Sequence, residues 1–137
     1  MKHVIFDFGG VLITFDPLNF LNRLFQDEAK AKRCCELFMQ SREWQQMDRG
    51  VLSVDEGKRI FKETEPVLEA EIELFFSRWY DMFQPMEASV SLLERLHQNN
   101  IPLYAISNFM KEPYEDLSPR FSFMPLFREI VLSYRIN

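Results

Sequence analysis

Residues 3–8, HVIFDF, form an apolar, β-branched and aromatic run broken only at Asp7, and Gly9-Gly10 follows at once. Such a run reads as a buried strand of a parallel sheet, and the glycine pair as a tight loop at its carboxyl end. An Asp at that junction is a polar group placed where an apolar strand stops.

The rest of the chain alternates. Asp16-Pro17 reads as a helix N-cap followed by proline at the first helical position, with Phe20, Leu21, Leu24 and Phe25 at helical spacing. One helical stretch is expected over 28–48, with Leu37, Phe38, Trp44 and Met47 on its apolar side, ended by Arg49-Gly50. Ser53-Val54-Asp55-Glu56 is a capping box, and Glu65-Pro66 opens a helix carrying Leu68, Ile72, Phe75, Phe76, Trp79 and Phe83. Residues 17–83 thus read as all-helical. Val90, Leu92, Leu93 and Leu96 form a short helix closing at Asn99-Asn100; residues 102–106 read as a second buried strand ending at Ser107-Asn108. A helical segment over roughly 111–124 and a third strand over 129–134 complete the pattern. Strands separated by helices imply an α/β fold with a parallel sheet, and the helical insert is long enough to form its own lobe.

Bulk properties narrow the function. The 137 residues, 47% hydrophobic and 27% charged, suit one globular unit with a sizeable core. A formal charge of -5, with no run of five Lys or Arg, argues against nucleic-acid or anionic-membrane surfaces. Asp7 interrupts the N-terminal apolar run, which lacks the length of a signal sequence or membrane span, so a cytoplasmic protein is expected. Cys34 and Cys35 are adjacent, without metal or redox spacing, and read as reduced structural thiols. His3 and His97 lack partners at helical spacing and read as solvent-facing or hydrogen-bonded histidines.

Ligands of a parallel α/β sheet bind beyond the carboxyl ends of its strands, which would bring Asp7 beside Ser107-Asn108 if their strands are neighbours. A carboxylate there can attack phosphorus or bind Mg²⁺, while the hydroxyl, amide and backbone N–H groups can hold phosphate oxygens. Asp7-Phe8-Gly9-Gly10-Val11-Leu12 is similar to the first motif of haloacid dehalogenase (HAD) superfamily hydrolases, and Ile106-Ser107-Asn108 to the second. GVLSVDEG after Arg49 and PMEASVSLLERLHQNNIPLYAISN resemble the corresponding regions of sugar-phosphate phosphatases whose helical cap lies between those motifs. The resemblance implies a Rossmann-like parallel sheet, incomplete at three strands, with residues 1–16 and 84–137 as core and 17–83 as inserted cap. It implies that Asp7 is the nucleophile forming an aspartyl-phosphate, that the Asp7 carboxylate and the Gly9 carbonyl ligate Mg²⁺, and that Ser107 and Asn108 bind the phosphoryl group of a small phosphorylated metabolite.

Two departures bear on activity. Where the family usually carries a second Asp that protonates the leaving group, this sequence has Gly9; such general acid help is worth ~10²–10⁴-fold. The family's third motif supplies a Lys, and its fourth an acidic residue after a fourth strand; the chain to Asn137 is expected to stop before both, with only Lys111 and Arg135 nearby as cations. That reading leaves strand one as an exposed edge, from which poor stability or self-association is expected. Alternatives are a dehalogenase acting on carbon through the same Asp, and a non-catalytic truncated product or binding module. The aromatic stripe Phe75, Phe76, Trp79, Tyr80 and Phe83 reads as core of the helical lobe, with the substrate pocket as its other possible location.

Overall fold

A computed structural model of the chain describes residues 2–136. The first apolar run forms β1 (Val4–Phe6), and the chain then enters α1 (Pro17–Phe25), α2 (Glu28–Met39), α3 (Arg42–Asp48), α4 (Val54–Thr64) and α5 (Glu69–Arg78). After a 3-10 turn over Trp79–Met82 come α6 (Glu87–Gln98), β2 (Leu103–Ser107), α7 (Lys111–Leu117) and β3 (Glu129–Leu132). The sheet is parallel in the order β1-β2-β3, with Phe6 opposite Ala105 and Ser107 opposite Leu132. The expected α/β architecture is therefore observed. No helix among the described residues is long and apolar enough to cross a membrane.

Local chemistry sets the helix ends. The Asp16 carboxylate accepts from the Asn19 N–H at 3.2 Å with Pro17 behind it, and the Ser53/Glu56 capping box is present in both directions. Residues 28–48 differ from expectation. They form two helices, because Ser41 caps α3, its Oγ accepting from the Trp44 N–H at 3.0 Å. The apolar periodicity runs on across this break, so it conceals a serine that satisfies a free helix N–H. The third strand also ends early, at Leu132, where Ser133–Arg135 turn into a 3-10 helix.

The sheet is not buried on both faces. Val4, Phe6, Leu103, Ala105, Ser107 and Leu132 share one covered face, whereas Ile5 and Ile106 on the other are 62% and 53% exposed. A short apolar run cannot reveal how many of its faces are covered, which is why both strands read as fully buried. β1 lies at one edge, paired with β2.

The five helices α1–α5 leave and rejoin the sheet at one neck. Thr14 donates its backbone N–H to the Gln84 carbonyl at 2.8 Å and its hydroxyl to the Met82 carbonyl at 2.7 Å, while Gln84 N–H donates back to Thr14 Oγ1. Met86 N–H donates to the Leu12 carbonyl, and Ile13 bridges Pro85. Above the neck, Phe38 packs its ring against Phe61, Phe75, Phe76 and Trp44, forming the apolar centre of the helices. Cys34 is buried in this packing, which pushes its thiol up to about 11, as suits an inert structural cysteine.

Gly50 ties the helices to the end of the sheet. Its φ is +75°, and an added Cβ would lie 2.9 Å from the Tyr134 Cβ. Gly50→Ala combines left-handed strain with overpacking and is expected to destabilise the fold by about 1–3 kcal/mol, measured as a lowered urea midpoint.

Candidate active site

β1 stops at Phe6, and the backbone reverses at once. Val11, Leu12 and Ile13 N–H groups all point at the Phe8 carbonyl, Gly10 N–H bonds the Ile13 carbonyl at 2.8 Å, and Gly10 takes φ +76°. Phe8 is wholly buried between Phe109, Tyr114 and Phe127. Asp7 therefore stands exposed at the sheet edge on a backbone fixed from both sides. Its Oδ1 accepts from the Phe8 N–H at 2.7 Å, which leaves Oδ2 without a hydrogen-bond partner among the described residues.

β2 brings the second pair to the same edge. Phe6 and Ala105 are in register, so β1 and β2 end at the same edge, with Ser107 one residue beyond the position level with Asp7. Ser107 is buried at 8% exposure and Asn108 is exposed. Asp7, Gly9, Ser107 and Asn108 all line one pocket of about 200 Å³. The sequence-predicted residues are brought together.

The far wall is aromatic. Phe15 stacks on Phe83 at 6.2 Å, Phe83 meets Trp79 at 6.1 Å, and Trp79 meets Trp44 at 6.1 Å; all four line the pocket. The predicted stripe is thus divided: Phe75 and Phe76 belong to the helical centre, while Trp79 and Phe83 face the pocket. Tyr80 turns to the other side, where its hydroxyl donates to Asp116 at 2.9 Å across a separate cleft of about 440 Å³ that neither Asp7 nor Ser107 lines. Lys111 and Arg135 do not line the Asp7 pocket. The Arg135 guanidinium instead lies over the Tyr114 and Tyr134 rings at 5.3 and 5.5 Å.

Sequence reasoning missed Asp48, the last residue of α3, which lines this pocket. Nothing in its spacing marks it, because the pairing of α3 with the sheet edge is set by tertiary contacts. The Ser133 hydroxyl donates to the Asp48 carbonyl at 2.8 Å, pinning that helix end to the turn after β3. Burial pushes the Asp48 carboxyl up to about 7. The folded protein therefore holds a proton there that the unfolded chain releases near its ordinary value of 3.8.

No protein-family model matches the sequence, and no curated protein matches it. Solved structures do match. The crystal structure of HAD family enzyme BT-2542 from Bacteroides thetaiotaomicron superposes with a TM-score of 0.66 at 20% identity, covering 99% of this chain and 70% of that one. The chain has the fold of a HAD family enzyme. The same enzyme solved with magnesium and inorganic phosphate gives a TM-score of 0.68 at 20% identity over the same shares.

The proton on Asp48 has a measurable consequence. Because its folded pKa is raised, stability falls as pH rises from about 4 to about 7 and levels beyond. Urea unfolding of Asp48→Asn is expected to lack this slope, so the variant gains on the wild type across that window.

Proposed function

We propose that this chain is a HAD-type phosphatase that cleaves a small phosphorylated metabolite through an aspartyl-phosphate on Asp7. The supporting observation is the single pocket shared by Asp7, Gly9, Ser107 and Asn108. An unpaired Asp7 Oδ2 beside the Ser107 hydroxyl and the Asn108 amide gives a nucleophile and phosphate-oxygen donors in one place. The neighbouring enzyme's magnesium and phosphate complex agrees with this reading.

In the first step Asp7 Oδ2 attacks phosphorus and the bond to the leaving oxygen breaks. In the second, water attacks the aspartyl-phosphate and releases inorganic phosphate. The Ser107 hydroxyl and the exposed Asn108 amide orient the phosphoryl oxygens, while Phe15, Trp44, Trp79 and Phe83 exclude water and bound the rest of the substrate. A volume of about 200 Å³ favours a small ester over a large one.

The donor chemistry fits Mg²⁺. Asp7 and the Gly9 carbonyl offer hard oxygens in the same pocket. No cluster of three or more metal-ligating side chains exists among the described residues; Mg²⁺ commonly binds through one or two carboxylates while keeping several waters. When bound it would neutralise phosphate charge next to the Asp7 carboxylate. The helices over residues 17–83 act in this reading as the cap that closes the pocket.

Release of phosphate from small phosphate esters is expected to require Mg²⁺, to stop with chelator, and to fall at least about 10³-fold in Asp7→Asn. Equal rates for wild type and Asp7→Asn would sink the proposal.

A further inference from the structure

The phosphoryl transfer proposed above needs a proton for its leaving group, and the sequence offers none next to Asp7, because position 9 is glycine. That glycine is not imposed by the fold. Its φ is not positive, and an added Cβ would meet only the Phe15 Cβ and Cγ at 3.6 and 3.9 Å, ordinary contact distances. Space for a side chain exists there without one, and another carboxyl group enters the same pocket from α3. We propose that Asp48 is the proton donor to the leaving oxygen, the role that Gly9 leaves open.

Placement supports this. Asp48 lines the pocket with Asp7, Ser107 and Asn108, and the indoles of Trp44 and Trp79 line it too. Glu63 on α4 and Glu71 and Glu73 on α5 find lysine or arginine partners, whereas no ion pair or hydrogen bond reaches the Asp48 carboxyl among the described residues. It ends α3, where the helix carbonyls disfavour negative charge. Its backbone is held twice, by the Ser133 hydroxyl and by the contact of neighbouring Gly50 with Tyr134.

Among the described residues, few charged and titratable groups surround it. Arg49 follows it in the chain and has interactions of its own. Asp7 lies in the same pocket, and the turn after β3 brings Tyr134 and Arg135, the latter stacked on tyrosine rings. α2 meets α3 through Phe38 and Trp44, and α4 through Gly57 and Met47. Burial, with no charge partner among the described residues, pushes its pKa up to about 7.

The step balances. As Asp7 attacks, the electron pair of the breaking P–O bond goes to the leaving oxygen, which takes the Asp48 proton and departs as an alcohol. Asp48, now a carboxylate, accepts a proton from the water that attacks the aspartyl-phosphate, restoring both carboxyl groups as phosphate leaves. The role depends on the hydrolase reading of Asp7.

The test compares p-nitrophenyl phosphate, whose leaving group departs without a proton, with glycerol phosphate, whose leaving group needs one. Asp48→Asn is expected to lower kcat/KM by about 10²–10⁴-fold on the alkyl ester and by less than about tenfold on the aryl ester. It should also remove the fall in wild-type activity above about pH 7. Gly9→Asp added to Asp48→Asn should restore alkyl turnover, which a merely structural Asp48 would not allow. Equal losses on both esters, or no loss on either, overturn the role. So does a carbon-13 resonance of the Asp48 carboxyl in the folded wild type that titrates in the ordinary carboxylate range, whatever the variants do. Failure of the wild type to cleave either ester in Mg²⁺ overturns the hydrolase reading and this role with it.

Discussion

The convergence of backbone N–H groups on the Phe8 carbonyl is the constraint on which the site depends. It forces β1 to stop after three residues and fold back on itself, while the Phe8 ring anchors the turn in the aromatic packing beneath the sheet edge. Asp7 is held by its neighbour's burial and needs no ion pair of its own. Its exposure and its order thus have one cause. A polar group at the end of a buried segment is ordinarily free to turn toward water; here the 2.7 Å contact with the Phe8 N–H commits one oxygen and leaves the other available.

The helices complete what the sheet begins. The strand ends provide polar groups on a shallow edge, and the aromatic wall from Phe15 to Trp44 turns that edge into a half-open pocket. Apolar walls raise the strength of every polar contact inside and penalise any charge without a partner. Asp48 follows the second effect: burial pushes its carboxyl up from 3.8 to about 7.

The sheet-edge residues were legible because strand composition and loop chemistry are local. An apolar run ending in Asp-x-Gly-Gly, and another ending in Ser-Asn, announce their own boundaries, as do the Asp16-Pro17 and Ser53–Glu56 caps. Asp48 was not legible. It reads as one more acid at the end of a polar helix, and only the docking of Ser133 and Tyr134 against that helix end gives it meaning. The break at Ser41 and the open face at Ile5 and Ile106 were missed for related reasons. Periodicity records which side of an element is apolar, and it says nothing of whether the element is continuous or what covers it.

The neck at Thr14 and Gln84 carries a consequence for the order of folding. β1 and β2 pair residues roughly a hundred positions apart, so closing the sheet on an unfolded chain would carry a large loop entropy. The five intervening helices make mostly local contacts, and once they associate, Thr14 and Gln84 are already one hydrogen bond apart. The effective loop then shrinks from most of the chain to the turn before the neck and α6 after it. In kinetic terms the helices are the splint on which the sheet is set.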